Sequence, residues 1–306
     1  MMKPQEGQPV HWQIDGHNIE IKYPGKMFWP EENITKIELV QYYRDMADIM
    51  MPYLKLRPVT LHYFPRGIHK VSFYKRDYSH PVTGLIETYP YKEISQNKTI
   101  NVPIVASRAG LIYLASKGCI EFHTWASLIT DIFRPTWVVI DLDITGKTPF
   151  KKVLTAAQIL REYLLSLNLQ SFAKTSGGSG LHIYIPVAPV YTFEQVRNWL
   201  AQIGKLLQQQ YPDIFALPQK QNKTHDSNKV VIDYRQNTIT RNTASVYTAR
   251  ANSVATVSTP ITWEEVAEGK IKPSDFTLKT VPERVKEKGD LFIKVLQLKQ
   301  KLPIDL

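Results

Sequence analysis

The chain has 306 residues, 43% hydrophobic, 11% aromatic and 22% charged, the balance of a globular protein and not of a disordered one. No apolar stretch approaches the roughly 18 residues of a membrane span, MMKPQEGQPVHWQ holds no apolar signal core, and Cys119, the single cysteine, excludes a disulfide framework or cysteine metal cluster. Thirty-eight Lys and Arg against 28 Asp and Glu leave a charge of +10, which suits a polyanionic partner, nucleic acid or an acidic membrane surface, and the expected setting is the cytoplasm.

Residues 35–51 read as a helix, with Thr35 and Glu38 in capping-box spacing and Leu39, Tyr43, Met46 and Met50 on one face. From about 57 to 125, short apolar runs broken by Pro and Gly (RPVTLHYFPRG, KVSFYKRDY, NVPIVAS, GLIYLAS) read as a strand-rich segment. WVVIDLD at 137–143 is the next strand. A helix follows from Thr148-Pro149, with Val153, Ala157, Leu160, Leu164 and Leu167 on its apolar face.

SFAKTSGGSGLHIYIPV then reads as strand, glycine turn, strand. Thr192 and Gln195 cap an amphipathic helix carrying Val196, Trp199, Leu200, Ile203 and Leu207, KVVIDY is another strand, and Thr262 with Glu265 caps a short helix. The tail from Asp290 reads as a closing amphipathic helix. Because glycine turns join neighbouring strands directly, a mixed sheet with helices on one face fits better than a doubly wound parallel sheet.

Two carboxylates stand out. Asp141 and Asp143 are two apart on a strand, so both project from one face and repel each other unless a cation sits between them. An isolated pair of this kind is more often a solvated strand end. Here the strand is apolar on both faces, as a central strand is, and a second apolar strand, KVVIDY, also ends in a carboxylate, Asp233. Three such groups supply the hard oxygen ligands that Mg²⁺ or Mn²⁺ prefers.

TSGGSGLHIY, residues 175–184, has three glycines in four positions, freeing backbone N–H groups to face an anion; a plain hairpin turn is the competing reading. No Gly-Lys-Ser/Thr follows, and the nucleophile-elbow pattern fails at Leu181. His182 and Tyr184 share the face opposite Leu181, Ile183 and Ile185. His123 lies among bulky apolar neighbours, where a structural histidine is the commoner case. Lys26, Phe28, Trp29, Lys36, Phe73, Tyr74, Lys75 and Arg76 interleave cations with aromatics, a mixture suited to nucleic acid, although Phe28 and Trp29 read better as core.

In order, PGKMFWP, FYKR, EFHTWAS, VVIDLD, KTSGGSGLHIYIPV, VVIDYRQN, VYTARA, STPITWEEV and DFTLKTVPERVKEKGD resemble the polymerase/primase module of bacterial non-homologous end-joining DNA ligases, a branch of the archaeo-eukaryotic primase superfamily. The resemblance runs over about residues 20–292. It implies an α+β fold with an RRM-like mixed-sheet catalytic core packed with an N-terminal strand-rich module. The whole of 1–306 is then one primase-polymerase domain, made of a module at 1–130, a core at 131–260 and a helical extension at 261–306.

The resemblance further implies template-dependent nucleotidyl transfer by two Mn²⁺ or Mg²⁺ ions held by Asp141, Asp143 and Asp233. His123, Ser176, His182 and Arg250 would hold the nucleotide and its phosphates, with Gly177, Ser179 and Gln236 nearby. Lys26 and Lys36 match positions that grip a DNA 5′-phosphate, and Phe73 and Tyr74 an aromatic pair at template and nucleotide. Ser179 stands where many relatives carry lysine, leaving Lys174 as a candidate substitute, and Tyr23 stands where some relatives have a polar residue.

The implied partners are primer-template, broken or gapped DNA, an NTP or dNTP, a Ku-type end-binding protein and a separate ligase. A monomer associated with the nucleoid, with a preference for ribonucleotides and stimulation by Mn²⁺, completes the expectation. Two other readings stay open: a metal-dependent DxD glycosyltransferase, which leaves the +10 charge and Asp233 unexplained, and a non-catalytic DNA-end-binding protein.

Overall fold

The computed structural model describes residues 7–93, 97–144, 148–218 and 228–304. The chain forms two compact units: Met1–Trp125 with Ala244–Val257 and Phe276–Gly289, and Ala126–Thr243 with Ser258–Asp275 and Asp290–Leu306.

In the first unit the helix Lys36–Leu54 begins at Thr35, whose backbone N–H donates to the Glu38 carboxylate at 2.7 Å, closing the expected capping box. Leu39, Tyr43, Met46 and Met50 are buried, as their spacing requires. The strands Val59–Tyr63, Phe73–Lys75 and Cys119–Trp125 pair antiparallel, with Val59–Tyr63 between the other two. Every residue of Cys119–Trp125 is buried. Glu87–Glu93 and Lys98–Ile104 form a separate hairpin.

GLIYLAS departs from the strand-rich expectation: it lies in the helix Arg108–Ser116. The Ser107 hydroxyl accepts from the Gly110 N–H at 3.0 Å and so nucleates helix where a short apolar run alone fits either structure. Gly110 is required there, since a Cβ would meet the Leu85 carbonyl at 2.3 Å.

The second unit is built on a six-stranded sheet in the order Phe215–Ala216, Val230–Asp233, Trp137–Ile144, Leu181–Pro186, Phe172–Thr175 and Pro260–Ile261. All neighbours are antiparallel except the first pair, so the sheet is mixed and Trp137–Ile144 is interior to it. The helix Phe150–Ser166 lies on this sheet with Val153, Ala157, Leu160 and Leu164 buried. Its N-cap is Pro149 and not Thr148, whose hydroxyl donates to the Lys229 carbonyl at 3.3 Å.

Phe193–Gln210 and Trp263–Glu268 carry the capping boxes expected at Thr192/Gln195 and Thr262/Glu265. The closing helix expected from Asp290 is not continuous: the tail is mostly irregular, with a turn at 291–293 and one short helix at Lys294–Gln297. The Gln300 side-chain amide donates to the Gln170 and Pro186 carbonyls, and its backbone carbonyl accepts from the Ala188 N–H at 2.9 Å, a backbone bond that competes with a longer helix.

Candidate active site

In the second unit one row crosses four strands. Asp233 stands directly opposite Asp141, Asp141 opposite His182, His182 opposite Lys174. Directly opposed residues of antiparallel strands share a face, with Cα atoms about 4.5–5.5 Å apart. The row therefore reads carboxylate, carboxylate, imidazole, ammonium. Asp143, two residues beyond Asp141, adds a third carboxylate to that face at the solvent-reaching end of the strand.

Asp141 and Asp233 are buried, and each has a different basic neighbour. His182 Nε2 lies 3.4 Å from Asp141 Oδ1. Arg235 clamps Asp233: its backbone N–H and Nε donate to Oδ1 at 2.8 and 3.0 Å, and a terminal nitrogen donates to Oδ2 at 2.6 Å. Desolvation and then the Asp233 charge push the Asp143 carboxyl above its usual value, with Arg235 opposing. Crowded carboxylates, with the ionisation of Asp143 resisted, are the donor set that a divalent cation relieves, so the residues fit one.

The glycine turn lies against this cluster because Gly180 has no side chain; a Cβ there would meet the Leu142 carbonyl at 2.5 Å and Asp143 Oδ1 at 3.3 Å. Gly177 supplies the left-handed backbone, with φ of 73°. The N–H groups of Gly178 and Gly180 donate to Ser176 Oγ at 3.1 and 3.2 Å, so Ser176 holds the turn closed from within. Ser179 is exposed at its tip.

Lys174 does not take the phosphate-facing place considered for it. It is fully buried, and its ammonium donates to His182 Nδ1 at 3.0 Å and to the Ser258 hydroxyl. A donor on Nδ1 makes Nε2 the protonated nitrogen of a neutral His182, the one directed toward Asp141.

Asn237 was not singled out from the sequence. It is fully buried, accepts from the Val139 N–H at 2.9 Å and donates to the Val139 and Tyr234 carbonyls at 2.6 and 2.9 Å. Its amide imitates a strand residue and fixes the chain just after Asp233. Gln236 precedes it, half-buried.

In the first unit Lys26 and Lys36 are neighbours through the backbone, Lys36 N–H donating to the Lys26 carbonyl at 2.8 Å. The Lys26 ammonium sits 5.9 Å from the Tyr23 ring centroid, while Lys36 Nζ is turned inward onto the Lys22 carbonyl at 2.8 Å. Phe73 and Tyr74 are exposed, 48% and 61%, on a short edge strand; Phe28 and Trp29 are core.

A second polar row crosses the sheet of the first unit. Tyr74 is opposite His62, and His62 opposite Glu121, with His123 two residues further along the same strand. Glu121 Oε2 accepts from His62 Nδ1 at 3.1 Å and from His123 Nε2 at 2.9 Å, and Oε1 from Arg250 Nε and the Ala251 N–H at 3.1 and 2.9 Å.

Burial opposes the Glu121 charge, but the histidine hydrogen bonds and Arg250 outweigh it and hold the carboxyl far below the usual range. Burial lowers His123 despite that carboxylate, so the pair is an ionised acceptor with a neutral donor. The ligand atoms of His62, Glu121 and His123 lie within 4.8 Å of one another, a spacing that could also hold a metal ion.

The LigD primase-polymerase domain family matches residues 35–292 of this chain. The chain belongs to that family. The family is one of metal-dependent, DNA-directed nucleotidyltransferases, which sets aside the glycosyltransferase reading.

The bifunctional non-homologous end joining protein LigD of Bacillus subtilis is 26% identical over 301 residues, 98% of this chain and 47% of that protein. The multifunctional LigD of Mycolicibacterium smegmatis is 27% identical over 92% of this chain and 36% of its own length. The chain thus spans about half, or less, of these relatives. The polymerase domain of Mycobacterium tuberculosis ligase D, solved in complex with DNA, shares the fold, with TM-score 0.83 over 90% of this chain and 97% of that one at 22% identity. No helix among the described residues is long and apolar enough to cross a membrane.

Proposed function

We propose that this chain is a template-directed nucleotidyltransferase of DNA break repair, extending a primer 3′-hydroxyl at a gap or end from an NTP or dNTP. The observation that carries this reading is the placement of Asp233 directly opposite Asp141, with Asp143 on the same face. All of 1–306 would act as one primase-polymerase domain.

Asp141, Asp143 and Asp233 would hold two Mg²⁺ or Mn²⁺ ions. When bound, such ions lower the pKa of a hydroxyl nucleophile and neutralise a departing pyrophosphate. The remaining work of the protein is positioning and charge neutralisation. His182, with its tautomer set by buried Lys174, presents Nε2–H beside Asp141. Ser176, Gly177 and Ser179 line the turn assigned to the triphosphate, with Gln236 nearby. In the first unit, His123 and Arg250 are assigned to nucleotide contacts, Phe73 and Tyr74 to stacking on bases, and Lys26 to a DNA 5′-phosphate, with Lys36 supporting it. A Ku-type end-binding protein and a separate ligase are the proposed partners, the nucleoid the proposed place of action and a monomer the proposed acting form.

The test is extension on a gapped, 5′-phosphorylated duplex with NTPs or dNTPs and Mn²⁺ or Mg²⁺. Wild type should extend the primer, and Asp141→Ala should lose at least about 100-fold in rate, roughly 3 kcal/mol of transition-state stabilisation, while still binding the DNA. Full extension by Asp141→Ala would overturn the proposal.

A further inference from the structure

Glu121 carries no role in the reading above, yet its carboxylate collects groups that do. Two oxygens offer about four acceptor positions, and four donors fill them: His62 Nδ1, His123 Nε2, Arg250 Nε and the Ala251 N–H. A carboxylate filled in this way has no capacity left for a substrate hydroxyl. It can act only through the groups it holds.

Each of those bonds fixes a geometry. The bond from His123 Nε2 places that ring's proton on Nε2 and makes Nδ1 the nitrogen presented away from the carboxylate. The bonds from Arg250 Nε and the Ala251 N–H seat the guanidinium and its backbone together, so the side chain cannot shift without the chain. His62, held through Nδ1, stacks on Tyr74 with centroids 3.8 Å apart and planes at 16°, and Tyr74 in turn meets His123 edge-on at 6.0 Å. The Tyr74 ring, 61% exposed on an edge strand, thus has a rigid backing.

We propose that Glu121 is a positioning residue that orients His123, Arg250 and, through His62, Tyr74 toward the incoming nucleotide. The proposal rests on the reading that those three groups contact the nucleotide.

The same cluster could be a cation site, since its ligand atoms have the spacing for one. Charge argues otherwise. Arg250 already neutralises Glu121, and a dication shared with neutral histidines would leave the buried cluster with an excess positive charge.

The experiment compares wild type with Glu121→Gln, Glu121→Asp, His123→Ala, Arg250→Ala and the Glu121→Gln/His123→Ala double variant. It measures nucleotide KM and kcat in primer extension, DNA affinity, thermal unfolding, and ¹⁵N shifts of the His123 ring. Glu121→Gln should raise nucleotide KM by about tenfold or more with a smaller change in kcat and no change in DNA affinity. His123 should become a mixture of tautomers, and Glu121→Asp, which keeps the charge, should recover part of the loss. In the double variant the two effects should fall short of multiplying.

A Glu121→Gln effect that is unchanged when His123 is already alanine would overturn the proposal. So would a His123 tautomer indifferent to Glu121, or Zn²⁺ or Mn²⁺ held in wild type and lost in the Glu121 and His123 variants alike. If His123→Ala and Arg250→Ala leave nucleotide KM at the wild-type value, the nucleotide-contact reading itself fails. If they raise it and Glu121→Gln does not, only the positioning role fails. Should Glu121→Gln not fold, Glu121→Asp and the tautomer measurement decide alone.

Discussion

Asp141 and Asp233, 92 residues apart in sequence, are direct cross-strand partners in one antiparallel ladder. Like charges opposite one another destabilise a sheet, so a fold that places two buried carboxylates there retains them for something other than stability. In the present structure one of them is neutralised by Arg235, which grips Asp233 through three nitrogens.

Arg235 therefore competes with any cation for Asp233. Arg235→Ala should tighten Mn²⁺ binding by about two- to fivefold, the range expected of a partly exposed ion pair, with the largest effect at low ionic strength. Isothermal titration without nucleotide measures this; unchanged or weaker binding would show that the arginine does not compete.

Asn237 should matter for stability and for the site together. Asn237→Ala leaves the Val139 N–H and carbonyl buried without their partner, at a cost of about 2–4 kcal/mol. Urea unfolding should show this loss, and primer extension should fall by more than the unfolded fraction explains, because the chain after Asp233 is no longer fixed. Wild-type stability in Asn237→Ala would contradict the assigned bonds.

Asp143 carries a pH signature. Its folded-state carboxyl lies above the usual value, so the native state holds this proton more tightly than the unfolded chain. Stability from this group falls as pH rises from the ordinary carboxylate value through the raised one, and the penalty persists above it. In EDTA, Asp143→Asn should raise the midpoint of thermal unfolding at neutral pH and give no gain below the ordinary value. Adding Mn²⁺ should stabilise wild type more than the variant. A variant that melts below wild type at neutral pH in EDTA would refute this.

Lys26 should report on DNA ends. Its ammonium is presented beside Tyr23, whereas Lys36 is turned onto the backbone. Lys26→Ala should weaken binding to a 5′-phosphorylated gap by about five- to tenfold and to a hydroxyl-ended gap by less. Fluorescence anisotropy on the two duplexes distinguishes this from equal losses, which would remove the role.

The parts of the fold that were legible in the sequence are those with strong periodicity or capping. The helices after Thr35 and Thr192, the interior strand 137–143 and the glycine turn follow from local chemistry that tertiary structure did not overrule. GLIYLAS was not legible as helix because a short apolar run has no period of its own; the Ser107 cap decided it. The tail from Asp290 has helical spacing, but Gln300 ties it to backbone groups more than 100 positions earlier, and no window sees that.

Within the site, the carboxylates were visible because charge after an apolar strand is conspicuous. Glu121 and Asn237 were not, because a polar residue looks the same in sequence whether it faces water or fills three or four hydrogen bonds within the protein. The signal that could have found Glu121 is its alternation with His123 on a strand otherwise mostly apolar.

The most direct test of the carboxylate centre is Mn²⁺ binding followed by electron paramagnetic resonance, comparing wild type with Asp233→Asn. Wild type should bind Mn²⁺ saturably, and Asp233→Asn should weaken that binding by at least about tenfold, with Asp141→Asn behaving alike. Binding of wild-type strength in Asp233→Asn would contradict the account.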